Sequence, residues 1–314
     1  MQVYFAPLEG ITDHIYRQLH HRHFPGVDKY FTPFFSPTVH RKLTPKETRE
    51  LPAADTLGYP LVPQILTKNA EDFLWMAQQC ADLGYQEINL NLGCPSGTVT
   101  AKKKGSGMLL EPEVLEQFLD VIFSACPVDI SLKTRIGFSH AEEFPRLLEI
   151  YNQYPAKELI IHPRTRSAFY NGAPDMDSFQ YGLDHSNAPV CYNGNMCSQD
   201  DISKLQEAYP NLHSVMLGRG LIGDPGMFGS KDAYISQLEA FHSQLLEAYM
   251  VAFGGSRNAM FRLKENWRYL LCRFENTEKL SKRLRKTTDL LEYKSIVSQI
   301  FHTCPLRDTL KSDW

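Results

Sequence analysis

Eight short apolar runs recur along the chain: VYFAP (3–7), KYFTPFF (29–35), LVPQIL (61–66), EINLNL (87–92), DISLKTR (129–135), ELIIHPR (158–164), APVCYNG (188–194) and SVMLGRG (214–220). Amphipathic helical stretches separate most of them. In residues 70–84, Phe73, Met76, Ala77, Cys80 and Leu83 share one face at spacings of three and four, and residues 111–125 and 142–154 behave alike. Strand-length runs alternating with helices predict an α/β fold with a parallel sheet. Eight such units predict a (β/α)8 TIM barrel over residues 1–235, followed by a small all-α helical domain over 236–314. A doubly wound sheet is the competing arrangement. Residues 36–57 read as a loop where a helix is expected.

The 314 residues are 43% hydrophobic and 22% charged, with a net charge of −3. Any nucleic-acid contact therefore needs a local patch rather than the global balance. No apolar run approaches the ~20 residues of a membrane span, and the N-terminus lacks a basic region before an apolar stretch, so no secretory signal is expected. The seven cysteines (80, 94, 126, 191, 197, 272 and 304) are an odd, scattered set without a CxxC pair. This argues against a disulfide framework or a metal site and fits a reducing cytoplasm. A monomer is expected.

Barrel enzymes build their sites at the C-terminal ends of the strands. Those ends read APLEG, FTPFF, PQIL, NLGCP, KTRIG, HPRT, NGNM and GRG, and they collect Gln64, Asn91, Lys133, Arg135, His162 and Arg164. The opposite ends carry fewer polar groups. One end is unusual: in INLNLGCPSGTV (88–99) an alternating strand breaks at Gly93-Cys94-Pro95, placing a single thiol at the rim. GRGLIG (218–223) matches the dinucleotide pattern GxGxxG, but a Rossmann unit needs a further strand, and after Asp224-Pro225 the chain reads as helical. The same glycines suit a phosphate cradle, and with Asn193-Gly194-Asn195 two adjacent loops could offer backbone N–H groups to one phosphate, as in a flavin mononucleotide. Two plain tight turns are the alternative.

APLEGITDHIYR, NLGCPSGTVTAKKKGSGMLL, LKTRIG, HPRTRSAFYNGAP, YNGN and MLGRG occur in one order from residue 5 to about 228, and together they resemble the FMN-dependent tRNA-dihydrouridine synthase family. The helical tail resembles the family more loosely, through FRLKENWRYLL. The resemblance implies reduction of the C5=C6 bond of tRNA uridines, with bound FMN and with NADPH or NADH as reductant. It implies that Cys94 is the proton donor, a role suited to a thiol whose ordinary pKa of about 8.5 keeps it protonated at neutral pH. It matches Pro7, Leu8, Glu9, Gln64, Lys133, His162, Asn193, Gly194, Asn195, Gly218 and Arg219 to flavin contacts, with Lys133 near the pyrimidine end of the ring. Asn91 matches a uracil contact, and Arg164 and Tyr170 match the substrate side. Leu8 stands where Met is commoner, Asn195 where an acid is commoner, and Asn89 where Asp is frequent.

Residues 262–294 carry ten Lys or Arg against five acids. On a helix, Lys279, Lys282, Arg283 and Lys286 form one stripe, with Leu280, Leu284 and Leu291 placed to pack on the core. Such a stripe suits a phosphate backbone. Lys102, Lys103 and Lys104 would add charge near Cys94, and Arg135 is expected on the substrate side. Two other functions stay open: a dihydroorotate dehydrogenase-like flavin enzyme acting on a small molecule, and a tRNA-binding protein without turnover.

Overall fold

The computed structural model describes residues 1–38, 40–230 and 232–310. Its strands are β1 (Gln2–Phe5), β2 (Lys29–Phe31), β3 (Leu61–Val62), β4 (Gln64–Ile65), β5 (Glu87–Leu92), β6 (Asp129–Arg135), β7 (Leu159–His162), β8 (Val190–Tyr192) and β9 (Ser214–Leu217). They form one sheet in the order β3-β2-β1-β9-β8-β7-β6-β5-β4. The two ends of that order, β3 and β4, are consecutive in the chain, so the sheet closes on itself as a barrel. The expected third strand is interrupted because Pro63 has no N–H to give to a ladder. Its carbonyl still accepts from Asn89 N at 2.8 Å, and Gln64 N donates to Thr32 Oγ1 at 2.9 Å, so the seam stays bonded. The assigned register pairs are parallel, as helical crossovers require.

The helices Ala70–Asp82, Pro112–Ala125 and Phe144–Tyr151 arise where the spacing predicts them, and they bury the expected faces: Phe73, Met76, Ala77 and Cys80 on the first, Leu115, Phe118, Leu119 and Ile122 on the second. The loop reading of 36–57 needs correction. Pro45–Glu50 is a short helix closed by a capping box, in which Thr44 Oγ1 accepts from Glu47 N and the Glu47 carboxylate accepts from Thr44 N.

At the N-terminal ends of the strands the barrel is shut by buried polar groups. Glu158 accepts from Tyr4 Oη at 3.0 Å and Ser214 Oγ at 2.8 Å, while Lys29 pairs with Glu87 at 3.1 Å. Burial raises the Glu158 pKa, against the opposing pull of Lys29. That end is plugged by a structural cluster, which leaves the C-terminal ends for a ligand.

The chain separates into two compact units. The first comprises Met1–Pro7, Asp28–Asn195 and Tyr209–Met216; the second comprises Leu8–Val27, Met196–Ala208 and the chain from Leu217 on. The second unit is helical: His14–His23, Gln199–Ala208, Arg219–Gly223, Tyr234–Phe253, Ser256–Leu270, Glu278–Lys286 and Leu290–Thr303. Its centre holds Trp267 and Tyr293, whose polar atoms both meet His242 Nε2, at 3.1 and 2.9 Å. Leu284 is buried as expected, but Leu291 is exposed. The helix ends at Lys286 and a new one starts after Asp289, whose side chain accepts from Glu292 N; Leu291 therefore sits on a different axis, facing out.

Candidate active site

A chain of amides runs across the inside of the barrel. Asn91 Nδ2 donates to Gln64 Oε1 at 2.7 Å, Gln64 Nε2 donates to Asn89 Oδ1 at 2.8 Å, and Asn89 Nδ2 donates to Ser131 Oγ at 2.9 Å. The register of three strands brings this about, since Gln64 lies opposite Asn89 and Asn89 opposite Ser131. Each amide donates in one direction only, so the orientation of every member is fixed by its neighbour. Gln64, Asn89 and Ser131 are almost fully buried. Asn89 and Ser131 were not expected among the site residues; their inward alternation with apolar neighbours in β5 and β6 is the sequence signal that marks them.

The chain of amides ends at the backbone of Cys94. Asn91 Oδ1 accepts the backbone N–H groups of Gly93 at 3.1 Å and Cys94 at 2.9 Å. On the other side, the Cys94 carbonyl accepts from Ser106 Oγ at 2.7 Å and Ser106 N at 3.2 Å. The Gly93 carbonyl accepts from Arg135 Nε at 2.9 Å. Gly105 makes the close packing possible: it sits at φ +57°, and a Cβ there would lie 3.0 Å from Cys94 Cβ. The turn is bonded from both sides, while Cys94 itself stays partly exposed at the rim.

Lys133 lies opposite Asn91 in the register of β5 and β6. Protein surrounds its ammonium, and its side chain as a whole is half-buried. Desolvation, with Arg135 adding to it, lowers its pKa to about 8. No described residue gives it a hydrogen bond or an ion pair. A desolvated cation without an anion is a receptor for an electron-rich ring or carboxylate. Arg135 is different: besides Gly93 it donates to the carbonyls of Thr165 at 2.8 Å and Phe169 at 2.7 Å, and its side chain is buried. Burial lowers its pKa to about 10. Its bonds hold the 165–170 loop and the Cys94 turn together.

His162 ends β7. Arg164 Nη1 lies 3.2 Å from His162 Nε2, and a guanidinium only donates, so Nε2 accepts and the ring N–H is at Nδ1. Arg164 also donates to the carbonyls of Asn171 and Gly172, and Tyr170 packs its half-exposed ring near His162 at 5.8 Å and Arg135 at 5.4 Å. Gln64, Asn91, Cys94, Lys133, Arg135, His162, Arg164 and Tyr170 thus gather in the first unit. So do Pro7, at the end of β1, and Asn193–Asn195 after β8. Asn193 Nδ2 donates to Met216 O at 2.8 Å. A Cβ on Gly194 would meet Tyr192 Oη at 2.0 Å, so only glycine lets the loop lie this close.

Leu8, Glu9, Gly218 and Arg219 belong to the second unit. Leu8 opens a turn closed by Thr12, and Gly218 caps the short helix Arg219–Gly223, so GRGLIG forms no Rossmann unit. Lys102 is exposed, Lys103 pairs with Glu111 at 2.7 Å, and Lys104 donates to Ser36 Oγ at 3.0 Å. Lys279, Lys282, Arg283 and Lys286 are exposed along the helix Glu278–Lys286. Among the described residues, no cluster of His, Cys, Asp and Glu is placed to hold a metal ion, and no helix is long and apolar enough to cross a membrane.

Residues 4–308 match the model of one family, described as dihydrouridine synthase. The chain belongs to the dihydrouridine synthase family. It is 26% identical over 318 residues to the tRNA-dihydrouridine(16) synthase of Neisseria meningitidis serogroup B, covering 95% of this chain and 94% of that one. It is 25% identical over 320 residues to the probable tRNA-dihydrouridine synthase 1 of Synechocystis sp., covering 96% and 86%. Among solved structures, histamine dehydrogenase from Rhizobium sp. 4-9 superposes with a TM-score of 0.52 at 13% identity, over 77% of this chain and 46% of that one. A variant of morphinone reductase in complex with tetrahydroNAD gives 0.51 at 9% identity, over 76% and 87%. Identities this low bear on fold alone.

Proposed function

We propose that this chain is a tRNA-dihydrouridine synthase: it reduces the C5=C6 bond of uridine in tRNA, with FMN bound at the C-terminal mouth of the barrel and NADPH or NADH as reductant. The observation that carries the reading is the Cys94 turn, bonded at both its N–H and its carbonyl, beside a lysine that lacks an anion. The residues fit a flavin. Lys133 supplies an unsatisfied cation, and Gln64 keeps one free N–H after its bond to Asn89; His162 is assigned to a further contact with the ring. Pro7, Leu8 and Glu9, and the loops at 193–195 and 218–219, are assigned to the remaining flavin contacts.

Bound, reduced FMN supplies the hydride that is added at uracil C6. The chain's own task is the proton. The Cys94 thiol gives its proton to C5 as charge builds there, and the thiolate takes a proton back from solvent. Asn91 and Ser106 keep the sulfur on one trajectory. Residues 236–314 and Lys102–Lys104 are assigned to the tRNA backbone, in a protein that acts as a cytoplasmic monomer. Two measurements together test this. Denaturing the purified protein should release FMN, and mapping dihydrouridine in tRNA from cells with and without the gene should show a modified position that disappears. Release of FAD, or of no flavin, contradicts the cofactor assignment; unchanged dihydrouridine contradicts the activity.

A further inference from the structure

The helix Ser256–Leu270 buries Ala259, Met260, Leu263, Asn266, Trp267 and Leu270 and turns a second face to solvent. On that face Arg257, Phe261, Lys264 and Arg268 follow one another at spacings of four, three and four, a single stripe about 16 Å long at 1.5 Å per residue. Phe261 is 47% exposed. Two cations flank its ring, Arg257 with Cζ at 5.9 Å and Lys264 with Nζ at 5.2 Å from the centroid. Arg257 and Arg268 have no acid partner among the described residues. Arg257 also stands in the first turn of the helix, which has no acidic residue there; the backbone dipole disfavours a cation at that end and favours an anion beside it. Glu265 borders the stripe and leaves it net positive. Lys264 donates to the carbonyls of Thr287 and Arg285, so the stripe abuts the end of the basic helix Glu278–Lys286.

A lone exposed phenyl is ordinary on a protein surface. An exposed phenyl between cations that lack an acid partner is the arrangement that binds unstacked nucleic acid: the ring stacks a base, and the cations take the phosphates on either side. We propose that Phe261 is a stacking platform for one unpaired base of the RNA, flanked by Arg257, Lys264 and Arg268 as phosphate contacts. This rests on the assignment of tRNA as substrate and adds to it a base contact far in sequence from Cys94.

The test is equilibrium binding of an unmodified tRNA transcript at several salt concentrations to the full chain and its variants. Phe261→Ala and Phe261→Leu should each weaken binding about 5- to 100-fold, the scale of one lost base stack, with an unchanged salt slope. Phe261→Tyr should bind within about twofold of the original, and Arg257→Gln should lower the salt slope by about 0.7–0.9, the value for one phosphate contact. Thermal melting shows whether each variant is folded, and the exposed ring makes loss of the fold unexpected. If Phe261→Ala binds like the original, or Phe261→Leu binds as well as Phe261→Tyr, the stacking site is wrong while the tRNA assignment stands. If the unaltered chain shows no salt-dependent binding of tRNA, the assignment itself fails.

Discussion

Asn91 Oδ1 lies 2.9 Å from the backbone nitrogen of Cys94, and Asn91 Nδ2 lies 2.7 Å from Gln64 Oε1. One side chain therefore joins the thiol's backbone to the buried amides behind it. Asn91→Ala leaves two N–H groups and one amide oxygen without their partners. Its expected effect is a slower transfer to tRNA, by roughly 10–100-fold, the scale of a misplaced reacting group. Reduction of the bound flavin by NADPH should change less than about twofold. Asn91→Asp keeps the acceptor for both N–H groups and should recover part of the loss. Rapid mixing separates the two steps, and equal recovery in Ala and Asp would remove the positioning role.

Lys133 gives a pH dependence with a definite sign. Its pKa stands near 8, so the cation is present below that pH and lost above it. If the cation holds the electron-rich ring, flavin retention should fall as pH rises from about 7 to 9. Lys133→Met should retain less flavin at pH 7 and show a flat profile. Flavin release followed by filtration across this pH range gives the answer, and a Lys133→Met profile that still falls near pH 8 would assign the titration to another group.

His242 controls acid stability in the second unit. Burial lowers its pKa to about 3, from 6.5 for the free side chain. Between those values the unfolded chain binds a proton that the folded one does not, so stability is lost as pH falls from about 6.5 toward 3. Its Nε2 must stay unprotonated to accept from Trp267 and Tyr293. His242→Gln should lower stability at pH 7 by about 1–3 kcal/mol, as a disturbed buried network does, and should flatten the acid limb. Urea titrations at pH 7 and pH 4.5 measure both. His20, also held near 3 by burial, contributes in the same direction and sets the remaining slope.

The barrel was legible because its signals are local: apolar runs of strand length and helical spacing between them; the break that Pro63 makes in the third run was not read from the sequence. Even the missed helix Pro45–Glu50 carried its own sign, Thr44 three residues before Glu47. The Leu291 error arose because helical spacing was carried through Thr287-Thr288-Asp289, residues that favour caps over helix interiors. At the site, Cys94 and Lys133 stood out from motif and strand position. The bonds that hold them did not. Gln64, Asn89, Asn91 and Ser131 meet only through the pairing of separate strands, 42 residues apart between Asn89 and Ser131. Arg135 looked like a substrate contact from its place at a strand end, and only the fold shows its guanidinium occupied by the carbonyls of Gly93, Thr165 and Phe169.

The central claim is that Cys94 gives the proton to uracil C5, and single-turnover reoxidation of the reduced, flavin-loaded enzyme by unmodified tRNA tests it most directly. In Cys94→Ala, NADPH should reduce the flavin at the original rate, because that step needs no thiol. Reoxidation by tRNA should then fall by roughly two to four orders of magnitude, the scale of a lost general acid, or about 3–5 kcal/mol in the barrier. Cys94→Ser should recover little of this, since a hydroxyl is a far weaker acid. A Cys94→Ala enzyme that reoxidises as fast as the original would make Cys94 a structural residue and contradict the account.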